Sequence, residues 1–227
     1  MFSILKQKQI RTIMIGDVHG CLDELQLLVR QLKLSKEDRV IMLGDLINRG
    51  PDSVGCVDFV ASNGFDCLLG NHEDEYLNEF ESNEKFAHLR KSLGDFLHQF
   101  ITKRPLWIET PNYLCVHAGL KPGVKPAIED RHYLLNIRTW DGIGVDIKTP
   151  TNKAWYEFHT GKRPVFYGHW ARKGLNLRSN TFGLDSGCVY GKALSAYIFE
   201  EKKLVQQPAK RTYYVPPSLR PQTTNSI

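Results

Sequence analysis

The chain has 227 residues, of which 41% are hydrophobic and 24% charged, with a net charge of +5. These values suit one large globular domain with a sizeable core and exclude a disordered or membrane-spanning chain, since no apolar run approaches the ~20 residues a membrane helix needs. The charge is too mild to imply nucleic acid, and part of it comes from 207–227, where Lys210, Arg211 and Arg220 have no acidic companion.

The start, Met1–Gln9, has lysines but no apolar stretch ahead of a small-residue cleavage site, so no signal peptide is expected. Five widely spaced cysteines (Cys21, Cys56, Cys67, Cys115, Cys188) form no CxxC and are odd in number. They argue against a disulfide framework and for a reducing, cytoplasmic setting.

In chain order, Ile10–Ile15 reads as a buried strand. Leu22, Leu25, Leu28, Val29 and Leu32 recur at helical spacing and predict a helix over 22–33. Arg39–Leu43 is the next strand. A helix over Ser53–Ser62 starts after Pro51-Asp52 and stops at Asn63-Gly64. Phe65–Leu69 is the third strand. Residues 73–103 read as helical, with Phe86, Leu89, Leu93, Phe96, Leu97, Phe100 and Ile101 on one face. Leu106–Glu109 and Tyr113–Val116 flank Pro111-Asn112 as a hairpin. The stretch 120–160 reads as an irregular binding loop or lid. Val165–Tyr167, Thr181–Leu184 and Ala193–Glu200 are further strands. The alternation predicts an α/β fold with partly parallel strands over 1–205, and 206–227 as a Pro-rich basic C-terminal tail.

Five of the apolar runs end in residues that can ligate metal. They lead into Asp17 and His19, Asp45, Asn71 and His72, His117, and His169. In open α/β sheets, ligands gather outside the carboxyl ends of the strands. Taken alone, Gly16-Asp17-Val18-His19-Gly20 would also suit a strand–helix turn with Asp17 capping the helix. A lone His after a strand, such as His117 or His169, is commonly structural. Together, Asp17, His19, Asp45, Asn71, His117 and His169 form one oxygen and imidazole donor set suited to first-row divalent ions. Asp45 can bridge two ions. His72 is left for acid chemistry, and Arg49 offers a planar donor fork for phosphoryl oxygens.

The blocks GDVHG, GDLINRG, GNHE, VHAG and GHW, running from Asp17 to His169, resemble the calcineurin-like metallophosphoesterases, in the branch that includes serine/threonine phosphatases. More narrowly, GPDS, YGHW and Gly183–Gly191 are similar to symmetrical diadenosine-tetraphosphatases and their phosphatase-like relatives. The resemblance implies a four-layer α/β fold, two mixed sheets in a sandwich flanked by helices. It implies that Asp17, His19 and Asp45 hold one metal, and that Asp45, Asn71, His117 and His169 hold a second. Mn is the expected ion, with Co, Fe, Zn or Ni as alternatives. It further implies that His72 protonates the leaving group and Arg49 grips phosphoryl oxygens, with Arg138 as a second phosphate contact. Trp170, Tyr190 and Trp140 lie beside motif residues and could stack on a base or simply pack.

One position departs from the protein-phosphatase pattern: Asn48 stands where that pattern has an Asp that charges the acidic histidine. A neutral residue suits a better leaving group such as an ADP phosphate. The expected reaction is direct symmetrical hydrolysis of diadenosine tetraphosphate to two ADP. The alternatives are a serine/threonine protein phosphatase acting on phosphoprotein, a polyphosphate or capped-RNA hydrolase, and a non-catalytic metal-binding protein. The expected partner is a small nucleotide polyphosphate, with no nucleic-acid or membrane association.

Overall fold

A computed structural model describes residues 10–219. The lysine-bearing start and the end of the expected tail lie outside the described residues.

The order of elements is β1 (Thr12–Ile15), α1 (Leu22–Leu32), β2 (Arg39–Met42), α2 (Ser53–Ser62), β3 (Asp66–Cys67), α3 (Asn71–Glu79) and α4 (Glu84–Thr102). Then come β4 (Trp107–Glu109), β5 (Leu114–Val116), α5 (Arg131–Asn136), β6 (Thr139–Trp140), β7 (Lys153–Ala154) and β8 (Val165–Tyr167). The last four strands are β9 (Asn176–Leu177), β10 (Thr181–Gly183), β11 (Ala193–Ile198) and β12 (Lys203–Pro208). They build two five-stranded mixed sheets, β12-β11-β1-β2-β3 and β4-β5-β8-β10-β9, plus the small β6-β7 ribbon. β1, β2 and β3 run parallel, as do β5, β8 and β10.

Side-chain alternation explains the layering. Met14, Ile41, Leu43 and Leu68 from one sheet pack on Tyr113, Cys115 and Phe166 from the other, forming the core between the sheets. Their neighbours Ile13, Ile15, Val40, Met42, Val165 and Tyr167 point the other way into a second core, shared with Leu25 and Leu28 of α1 and Val57 and Val60 of α2. This is the expected sandwich flanked by helices. Among the described residues, no helix is long and apolar enough to cross a membrane.

Three expectations need correction. The helical stretch over 73–103 is two helices broken at 80–83, and α4 is itself interrupted at Gly94, whose φ is 66°. The 120–160 region contains α5 and the β6-β7 ribbon, pinned by Asp141, whose carboxylate accepts from four successive backbone N–H groups at 143–146. The expected tail boundary at 206 falls inside β12, which pairs along its length with β11. The chain then continues as a strap. Ala209 N–H donates to Lys192 O (2.8 Å), and the N–H groups of Tyr213 and Tyr214 both donate to Val189 O (3.0 Å). Tyr213 Oη donates to the buried Glu24 carboxylate at 2.7 Å.

Candidate metal centre

The loops that follow β1, β2, β3, β5 and β8 meet at one end of the sandwich. Backbone bonds lace the first two: the N–H groups of Val18 and His19 donate to Asp45 O at 3.1 and 2.8 Å. The turns are strained. His19, Asp45, Asn48, Arg49 and His169 all have positive φ, between 48° and 76°. Non-glycine residues adopt this conformation at a cost, and such strain concentrates at functional sites. Space is equally tight: a Cβ at Gly168 would land on the Asp17 carboxylate.

The described geometry brings all six donor-type residues into one cluster, five of them buried and Asn71 half-buried. His19 Nε2 lies 3.5 Å from Asp45 Oδ2, and His117 Nε2 lies 3.5 Å from Asp45 Oδ1. Asn71 Oδ1 is 3.1 Å from His117 Nε2 and 2.8 Å from His169 Nδ1. Asp17 accepts from His169 N–H through both oxygens, at 3.1 and 2.9 Å. Asp17 does not cap α1. Cys21 occupies that position without a side-chain bond, so the strand–helix-turn reading of Asp17 does not hold.

The tautomers can be assigned from partners. His19 Nδ1 faces Ile47 O (3.0 Å) and His117 Nδ1 faces Leu43 O (2.8 Å), and a carbonyl can only accept. Both rings therefore carry their proton on Nδ1 and turn an Nε2 lone pair inward. Burial pushes the imidazole of His117 below its ordinary range, so it resists a second proton. His117 Nε2 thus faces Asn71 Oδ1 and Asp45 Oδ1, lone pair against lone pair. Such apposition is unfavourable on its own and is what a cation between the atoms would resolve. The donor set fits divalent metal. Two groups of donor atoms, His19–Asp45–His72 and Asp45–His117–His169, each lie within 4.8 Å of one another and share Asp45.

Burial shapes the charges. It pushes the Asp45 carboxyl up to about 7, and the Asp17 carboxyl well above the usual range, helped by the nearby charges of Asp185 and Asp45. It pushes the imidazoles of His19 and His169 well down. His72 is held down to about 3 by burial and then by the Arg49 cation.

Around the cluster sit the groups expected to meet substrate. Asn48 Nδ2 lies 2.8 Å from His72 Nδ1. Arg49 Nη1 lies 2.7 Å from His19 Nε2, and its guanidinium lies over the rings of Tyr190 (5.7 Å) and Tyr214 (5.9 Å). Arg138 is half-buried with an unpartnered Nε, and burial followed by the Arg49 charge lowers its pKa. Trp170 packs against Tyr156 and carries Lys173 over its ring, and Trp140 packs on Tyr133. Neither tryptophan lines the groove that opens at His72.

Two supporting carboxylates had no role in the sequence reading. Glu73 accepts from the N–H groups of Asp45, Leu46, Ile47 and Gly70 (2.8–3.1 Å) and so clamps the Asp45 loop. Asp185, at the end of β10, is buried beside Asp17 and accepts from Gly187 N–H at 3.1 Å. Both lay inside recognised blocks, GNHE and Gly183–Gly191. Their partners are backbone groups or distant in sequence, and spacing does not reveal them.

Residues 10–198 match the family described as calcineurin-like phosphoesterases. The chain is 26% identical to a symmetrical bis(5'-nucleosyl)-tetraphosphatase of Glaesserella parasuis serovar 5, over 86% of this chain and 97% of that protein. It is 27% identical to the protein of the same description from Vibrio parahaemolyticus serotype O3:K6, over 87% and 98%. A crystal structure described as that of a candidate diadenosine tetraphosphatase superposes with a TM-score of 0.80 at 31% identity, covering 90% of this chain and 96% of that one. A metallophosphoesterase from Sphaerobacter thermophilus shares the fold at 13% identity, with a TM-score of 0.57 and coverage of 90% and 89%.

Proposed function

The chain belongs to the calcineurin-like phosphoesterase family, and on that premise we propose that it cleaves diadenosine tetraphosphate symmetrically to two ADP. The observation that carries this reading is the neutral amide–imidazole pair. Asn48 Nδ2 donates to His72 Nδ1, so the neutral ring presents Nε2–H to the site. An amide supplies no negative charge to stabilise a protonated ring, and burial and Arg49 hold it neutral. Such a group stabilises the departing oxygen of a phosphoanhydride, which is already a good leaving group. It serves a serine or threonine alkoxide poorly.

His19 Nε2, Asp17 and Asp45 would hold one divalent ion, and Asp45, Asn71, His117 and His169 a second. Mn is the proposed ion, though Co, Fe, Zn or Ni suit the same donors. When bound, the metals polarise the phosphoryl group and activate water for in-line attack. The remaining work falls to this chain's side chains. Arg49 and Arg138 offset charge on the equatorial oxygens, and the low-dielectric setting strengthens them. His72 Nε2–H meets the bridging oxygen as it leaves with the second ADP. The setting proposed is cytoplasmic, with a small nucleotide polyphosphate as partner.

The test is relative turnover. Mn-loaded protein is expected to hydrolyse diadenosine tetraphosphate at least about a hundredfold more efficiently, in kcat/KM, than a phosphothreonine peptide. The reverse preference would move the reading to a protein phosphatase.

A further inference from the structure

A groove of about 520 Å³ opens directly beside His72. His72, Asn48 and Arg49 line it, and three further elements contribute. Lys85 and Leu89, four residues apart and so on one face of α4, come from the first. Ser53, the first residue of α2, comes from the second, next to Gly50 in the lining. Tyr214, carried in by the C-terminal strap, comes from the third. Arg49 and Lys85 supply cations, Leu89 and Tyr214 supply apolar surface, with the Arg49 guanidinium 5.9 Å from the centre of the Tyr214 ring, and among the described residues Glu75 is the one carboxylate lining the groove, 3.8 Å from His72 Nδ1.

We infer that this groove is the subsite for the departing nucleoside diphosphate, with Lys85 on its phosphates and Tyr214 and Leu89 against its base. This rests on the function proposed above and names the half of the substrate that the groove takes. The direction follows from His72. The attacking water's oxygen bonds to the second phosphorus of the chain while the bridge to the third breaks. The bridging oxygen leaves with the third phosphorus and receives its hydrogen bond from His72. The departing ADP therefore extends away from the metal cluster on the His72 side, where the groove lies. A base has an apolar face for which an aromatic ring and a Leu side chain are a sequence-tolerant platform. The strap is what completes the platform. Its backbone bonds to Val189 and Lys192, and the Tyr213–Glu24 bond, fix where Tyr214 stands.

Equilibrium binding separates this inference from the reading beneath it. ADP and inorganic pyrophosphate are titrated into Mn-loaded full-length protein by calorimetry. Wild type is expected to bind ADP at least about tenfold more tightly than pyrophosphate, the contribution of one stacked base. Tyr214→Ala is expected to remove most of that preference while changing pyrophosphate affinity by less than about twofold. Lys85→Ala, an exposed change on a different element, is expected to weaken ADP about threefold or more, and it keeps the test decisive should the Tyr214 change loosen the strap. Equal affinity of wild type for ADP and pyrophosphate, or wild-type ADP affinity in both variants, overturns the subsite. A protein that shows the nucleotide preference yet releases AMP and ATP from diadenosine tetraphosphate keeps the subsite and loses symmetric cleavage.

Discussion

At the scale of single residues, the site is an arrangement of lone pairs and one deliberate neutrality. His117 is the most constrained donor, because its Nδ1–H is spent on Leu43 O and its Nε2 confronts two oxygens. His117→Ala is therefore expected to lower bound metal to about one ion per chain or fewer and to reduce kcat by roughly a thousandfold or more. Full metal occupancy by elemental analysis would remove His117 from the ligand set. Asn48 offers the complementary probe. In Asn48→Asp, a carboxylate 2.8 Å from His72 Nδ1 would favour the charged ring, and aryl phosphomonoester turnover is expected to rise about tenfold. A fall in step with polyphosphate cleavage would contradict the role given to Asn48. The donor residues were legible because each ends an apolar run. Glu73 and Asp185 were not, because what they hold is backbone or lies far away in the chain.

At the scale of elements, the loops are held by a few buried acceptors. Glu73, on the first turn of α3, gathers four N–H groups from two loops. Gln at this position keeps the volume but turns an amide NH2 toward two of those donors. Leaving two buried N–H groups unmatched is expected to cost about 2–4 kcal/mol, read as a lower urea midpoint at unchanged m-value. A loss below about 1 kcal/mol would mean the loop finds its own partners. Local pattern located β1, α1, α2 and β8 to within a residue or two, because their apolar spacing is strong. It missed β12, whose Lys203-Leu-Val-Gln-Gln-Pro208 run is polar because it sits at a sheet edge, where a terminal Pro is also tolerated. The strap after it is held by backbone bonds and one buried carboxylate, which leave no periodicity to read.

At the scale of the whole molecule, sequence order predicts a sandwich through family resemblance, whereas the pairing of β11 with β1, some 180 positions apart, is a tertiary fact. The alignment with the Glaesserella protein runs over 264 positions, more than the chain's own 227, so that relative carries inserted residues this chain lacks. The donor cluster also ties metal binding to pH. Burial raises the carboxyls of Asp45, to about 7, and of Asp17, so as pH falls each takes up a proton that an incoming ion would have to displace. Metal affinity is expected to fall as pH drops from 8 to 6. Calorimetry in buffers of differing ionisation enthalpy should detect proton release at pH 6, and an affinity flat from pH 6 to 8 would contradict this.

The most direct measurement is the identity of the products. Mn-loaded protein is incubated with diadenosine tetraphosphate and the nucleotides are separated while substrate remains in excess. ADP as the sole product, two per substrate consumed, is the predicted result; AMP appearing with ATP in equal amounts would contradict it.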